Sequence, residues 1–272
     1  MFTILIGLVV GLVAGLGLGF SWTGHPVWAS LAGVVGFVAT TLLINLQLKK
    51  RLEKVFNAVQ AKVQETQDDL QRQIRLMQSR NMGGKGLQKQ MEKRQADGLR
   101  EAMALLDGVE AMKKWNLLAQ KQANTLRAQL SFQIKDFEAA DKYFENCLVM
   151  DALTLAMKMT RLYKRGEIEA VEKEFTKGVK RYKDEKGILL YALYSWILVK
   201  EKRIDDAIKV LDDGKEKTED ELIRTNWEHL VNARTKHFSN AGFGDQWYTL
   251  HLETPKPIRA SAQRFGGKVR RR

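Results

Sequence analysis

The first 47 residues carry no charged side chain. That limits what this part of the chain can fold into. Within it, Ile6–Phe20 reads IGLVVGLVAGLGLGF, with Gly7, Gly11, Gly15 and Gly19 at every fourth position. Phe2–Phe20 is long enough, at about 28 Å as a helix, to match the hydrocarbon thickness of a bilayer. Val27–Gln47 supplies a second uncharged run. Between them Ser21–Pro26 (SWTGHP) holds the turn-formers Gly24 and Pro26, flanked by Trp22 and Trp28, residues suited to a membrane interface. The expectation is a two-helix transmembrane hairpin. A cleaved signal peptide would need a basic n-region, and Phe2–Thr3 provides none.

Residues four apart on a helix drift by only about 40° per step, so the four glycines form one flat ridge. Such ridges let helix backbones approach closely. The second span offers Ala29, Ala32, Gly33, Gly36, Ala39 and Thr40 at spacings of three and four. The ridge packs either on this stripe within the hairpin or on another subunit as a homodimer. Lys49, Lys50 and Arg51 directly follow the second span, and the turn carries no Lys or Arg. The positive-inside rule then places both termini on the cytoplasmic side of an inner membrane.

The net charge of +13 is unevenly distributed. Residues 48–100 hold 13 Lys/Arg against 6 Asp/Glu, residues 101–252 hold 25 of each, and residues 253–272 hold 7 against 1. Basicity confined to the membrane-proximal segment and the tail points to anionic lipid, through Lys49, Lys50, Arg51, Arg270, Arg271 and Arg272. RNA or ribosome contact is the alternative reading of the same cations. The composition of the tail, Thr254–Arg272, predicts disorder. Cys147 is the only cysteine, which excludes an intrachain disulfide and a thiolate zinc cluster.

Leu48–Ser79 continues as a basic helix. Leu52, Phe56, Val59, Val63, Leu70, Ile74 and Met77, with Thr66 in the expected slot, form a heptad seam with one stutter. The seam serves either a parallel coiled-coil stalk or a single helix that folds back on the body. Asn81–Gly86 (NMGGKG) reads as a glycine hinge at 82–86; no GK[ST] frame supports a phosphate loop.

Residues 100–236 contain a repeat. Ile134–Cys147 (IKDFEAADKYFENC), Arg165–Gly178 (RGEIEAVEKEFTKG) and Glu201–Gly214 (EKRIDDAIKVLDDG) align at Phe137, Ile168 and Ile204, at Ala140, Val171 and Ala207, and at Phe144, Phe175 and Leu211. Cys147, Gly178 and Gly214 supply a small residue at the fourth matched position. Each segment follows an apolar-periodic helix, around Leu126–Phe132, Leu153–Tyr163 and Ile188–Leu198. Recurrence after 31 and 36 residues implies paired antiparallel helices that bury their faces by stacking. The pattern resembles the tetratricopeptide repeat. It departs from that pattern at Arg127 and Lys158, where a large apolar residue is usual, and no proline closes a repeat. The resemblance implies an α-solenoid whose first helices line a groove for a protein or peptide, at Gln129, Phe132, Gln133, Thr160, Tyr163, Lys164, Trp196 and Lys200. The residues alone also allow Phe132, Tyr163 and Trp196 to be core. Glu219–His237 reads as the solvating last helix, and Gln246–Glu253 (QWYTLHLE) alternates as an extended strip.

The four histidines stand outside any HExxH or HxH pattern, and no GxSxG elbow occurs. The expectation is therefore no enzyme, metal or cofactor. The chain reads as all-α: a hairpin anchor over 1–47, a basic stalk over 48–99, a repeat domain over 100–252 and a tail over 253–272. The function expected of it is a membrane-anchored scaffold that recruits a protein partner.

Overall fold

The computed structural model describes residues 2–20, 26–79, 85–112 and 117–254. The turn at 21–25, residues 80–84 (which include 82–84 of the expected hinge at 82–86), residues 113–116 and the tail from 255 lie outside the described residues. The described chain is all-helical, with no strand. It divides into two compact units, Met1–Arg161 and Leu162–Arg272.

The first unit begins with α1 (Phe2–Ala14), which runs into a π-helical segment, Gly15–Phe20. α2 (Pro26–Ser79) is a single helix of 54 residues, about 80 Å long. It opens on a proline, whose missing N–H costs nothing at a first helical position. α1 packs along the first part of α2, glycine against small residue. A β-carbon on Gly36 would lie 3.0 Å from Ala14 Cβ, and one on Gly33 would lie 3.6 Å from Gly15 Cα. Phe37 lies over Gly7 and Gly11, filling the space that two missing side chains leave. The surroundings of Gly19 lie outside the described residues.

Around this contact the large apolar side chains point away from the helix pair: Leu8, Leu12, Val34, Val35 and Leu43 are all more than half exposed. Small residues inside and large ones outside is the reverse of a core formed against water. Among the described residues α2 is the one helix long and apolar enough to cross a membrane; the apolar run in α1, Leu5–Gly17, is shorter.

The second part of α2 carries the heptad seam, and the chain covers that seam itself. α3 (Lys85–Leu105) and the 3-10 segment Leu106–Met112 fold back on it. Leu52 and Val59 join Leu99, Ala102, Leu106 and Val109, together with Ala123 and Leu130 of α4 (Leu117–Gln133), in one buried cluster. Gly98 meets Thr66, so the polar slot in the seam faces the one residue type that fits there. Lys62 fastens the pair by bridging Glu65 at 3.2 Å and Glu101 of α3 at 2.9 Å. Within the chain the seam is thus covered by α3, the 3-10 segment and α4, which pack on the unbroken continuation of α2.

α5 (Phe137–Glu145) pairs with α4, and α6 (Ala152–Lys164) follows. Arg127, a departure from the repeat pattern, is buried and reaches Asp107 at 2.7 Å and Glu110 at 3.6 Å. α4 lies against the stalk covering instead of another repeat, and that neighbour is polar. Arg161 binds Asp141 through two hydrogen bonds, at 2.8 and 2.9 Å, and lies over the Phe137 ring.

The second unit holds α7 (Ile168–Arg181), α8 (Ile188–Lys200), α9 (Ile204–Thr218), α10 (Glu221–Val231) and the short α11 (Asp245–Tyr248). α8 is buried from Leu189 to Leu198, apolar on every side as a central helix must be. The repeat positions Val171, Phe175, Ala207 and Leu211 are buried as expected. Gly214 lets α9 approach two neighbours at once: a β-carbon there would lie 2.9 Å from the Tyr191 ring and 3.3 Å from Ile223.

The sequence repeat has a backbone counterpart. Lys135, Gly166, Lys202 and Ala233 each end a helix at positive φ, with values of 63°, 80°, 62° and 55°. At each, its own N–H returns to the carbonyl three residues back, and the next N–H to the carbonyl five back. This is a Schellman turn, made four times among the described residues.

The extended reading of Gln246–Glu253 is corrected. The segment opens with the helical turn α11, because the two fully buried residues, Trp247 and Leu250, are three apart, a helical spacing.

Candidate partner-binding surfaces

The eight expected groove residues fall in both units and meet different fates. Within the first unit Gln129 and Gln133 line a cleft of about 500 Å³. One wall is α2, through Phe56, Val59, Gln60 and Val63; the other is α4, through Gln122, Thr125, Leu126, Gln129, Leu130 and Gln133; Met150 and Asp151 close one end. The floor is apolar and the rim is largely amide. Asp151 is already engaged, accepting from the Thr154 N–H at 2.7 Å and the Thr154 hydroxyl at 2.6 Å. Gln129 donates to the Thr154 hydroxyl at 2.5 Å. The Thr125 hydroxyl stands 2.9 and 2.8 Å from the carbonyls of Lys121 and Leu148, which share its one proton, and it accepts from the Leu148 N–H at 3.0 Å. A cleft of this size with an apolar floor and a few placed polar groups has the usual make-up of a binding site.

Phe132 and Thr160 do not face a groove. Phe132 is fully buried, edge-on to Phe137 and Phe144. Thr160 is 3% exposed, and its hydroxyl makes no hydrogen bond. In the second unit Lys164 is exposed, while Tyr163, Trp196 and Lys200 come together. Tyr163 meets Trp196 edge-on at 5.9 Å between centroids, and Lys200 Nζ stands 4.9 Å from the Trp196 ring centre. Burial, with Glu201 beside it, pushes the Tyr163 phenol above its ordinary pKa. Trp196 itself is buried and donates to Glu253 at 2.8 Å.

Lys49, Lys50 and Arg51 form an exposed basic collar directly after the apolar part of α2, with Lys49 3.7 Å from Glu53. Arg270, Arg271 and Arg272 lie outside the described residues. No group of three or more potential metal ligands occurs among the described residues.

Sequence reasoning read Phe56, Val59 and Val63 as seam and did not single out Gln60, Gln122, Leu126, Met150, Trp247 or Glu253. The helical spacing of Gln122, Leu126, Gln129 and Gln133 was the available signal for the cleft. Glu253 has one partner six residues away, Trp247, and one 57 positions away, Trp196, and no helical or strand periodicity announces either. No protein-family model, curated protein or solved structure matches the chain.

Proposed function

We propose that the chain is a membrane-anchored adaptor: residues 1–47 form a two-span hairpin with both termini cytoplasmic, and the helical body captures a protein partner. The observation that carries the reading is the continuity of α2. One unbroken helix holds the apolar stretch after Ser30 and then, through Phe56, Val59, Gln60 and Val63, one wall of the cleft. Phe56 is nine residues past Gln47, about 14 Å along the helix axis. A segment bound in the cleft is then held at a fixed short distance from the bilayer, and its local concentration rises without any chemistry.

The inside-out packing of α1 on α2 supports the hairpin, since lipid competes with large apolar side chains and leaves small residues to make the helix contact. The basic collar supports the orientation. The repeated helix pairs support a tetratricopeptide-like stack, and the amide-rimmed cleft supports a peptide as ligand.

The test is photo-crosslinking in cells from a photoreactive residue at Gln133. The adaptor reading predicts a discrete adduct in the membrane fraction, its loss with Leu126→Trp, which fills the cleft, and its move to the soluble fraction when residues 1–47 are deleted. An adduct unaffected by Leu126→Trp would remove the cleft from the account. Sensitivity of capture to salt and to tail removal alone would favour the nucleic-acid alternative.

A further inference from the structure

Trp196 on α8 and Trp247 on α11 are 6% and 0% exposed and meet edge to face, 5.8 Å between ring centroids. An indole N–H can only donate, and a buried donor needs an acceptor. Both find it in a single group. Glu253 Oε1 accepts from Trp196 Nε1 at 2.8 Å, and Glu253 Oε2 accepts from Trp247 Nε1 at 2.9 Å. Two donors converging on the two oxygens of one carboxylate select an anion over a neutral acceptor. The Lys200 ammonium over the Trp196 ring adds to that preference.

The occupant is separable from the seat. Trp247 and Leu250 are fully buried and belong to the fold, whereas His251, Leu252 and Glu253 are half-buried and Thr254 is exposed. Moving only the last three of these would vacate the indoles. In sequence, residues 254–272 carry seven Lys/Arg and no acid, a composition that favours acidic partners.

We propose that the Trp196–Trp247 pair is a carboxylate-binding site for a partner's acidic side chain, filled in cis by Glu253 as a built-in competitor. The site lies in the second unit and does not rest on the cleft, so loss of either leaves the other to be measured. Glu253 wins while residues 252–254 are in place, because a tethered group competes at high effective concentration. A trans carboxylate enters when these residues move off the indoles.

The test uses the full chain in detergent micelles, with ¹⁵N-labelled indoles assigned through Trp196→Phe and Trp247→Phe. The probes are three tripeptides: acetyl-Leu-Glu-Thr-amide, acetyl-Leu-Gln-Thr-amide and acetyl-Leu-Gln-Thr with a free C-terminal carboxylate. In Glu253→Ala, the glutamate tripeptide shifts the Trp196 and Trp247 indole resonances and binds at least tenfold tighter than the amide-capped glutamine tripeptide. Binding of the third tripeptide as tight as the first would show that the seat takes a chain-terminal carboxylate equally and overturn the side-chain assignment. The wild-type chain shows no shift at the same concentration. Glu253→Gln preserves the packing and gives the same ranking of probes should the alanine variant fold poorly. Equal binding of the two capped tripeptides, no shift in either variant, or an equal shift in the wild-type chain would each overturn the proposal.

Discussion

Gly11 and Gly33 meet backbone to backbone: a β-carbon on Gly11 would sit 2.8 Å from the Gly33 carbonyl oxygen, and one on Gly33 3.0 Å from that of Gly11. Neither side can yield by turning a side chain, because each faces main chain. Gly11→Leu therefore forces α1 off α2, at a cost of about 2 kcal/mol by overpacking. Gly17, with nothing within 4 Å of its β-carbon position, accepts leucine without loss. Thermal unfolding of the two variants in detergent separates them.

The spacing of the glycines marked one face of the helix but left its partner open; within the chain Gly7 and Gly11 meet α2, while Gly15 already belongs to the π-helical segment. The partner stripe was read only in part: Gly33 and Gly36 take their places, while Phe37 and Thr41 meet Gly7 in addition. The stalk seam was not decidable, since Leu52 and Val59 would be buried by a second copy as well as by Leu99 and Ala102. Arg127 looked like a flaw in the repeat because its partners Asp107 and Glu110 stand in a 3-10 segment that periodicity does not reveal. Trp196 was read both as groove and as core; an acceptor 57 residues away decides for burial.

Leu99 is 1% exposed, in the cluster that joins α3 to α2. Leu99→Ala costs about 3 kcal/mol by cavity formation and loosens α3. Hydrogen exchange detects this as faster exchange over residues 85–105 and 52–66, with α8 unchanged.

The four Schellman turns differ in strain. Lys202 sits at φ 62° with a side chain that the left-handed region disfavours, whereas Gly166 sits at φ 80° without one. Lys202→Gly should stabilise by up to about 1 kcal/mol, and Gly166→Ala should destabilise by about 1 kcal/mol. Urea midpoints of the two variants move in opposite directions.

Burial, then the nearby charge of Glu172, holds the Tyr194 phenol up at about 12, and Arg203 opposes the shift. Burial and a 2.8 Å bond to Asp213 push Tyr191 higher still. Both folded pKa values lie above the unfolded value of about 10. Their stabilisation is complete below pH 10 and is lost as pH rises through about 12, by up to about 1.4 kcal/mol per unit for each phenol. Unfolding free energies measured at successive pH values stay level to pH 10 and then fall. Tyr194→Phe removes its share of that slope.

The central claim, a retained two-span anchor with the helical body on the cytoplasmic side, is tested most directly by labelling single cysteines in intact cells. In a Cys147→Ser background, Gly24→Cys in the expected turn and Gln263→Cys in the tail are treated with a membrane-impermeant maleimide. The account predicts labelling of Gly24→Cys from outside and of Gln263→Cys only after the cells are lysed. Labelling of Gln263→Cys in intact cells, with Gly24→Cys protected, would contradict it.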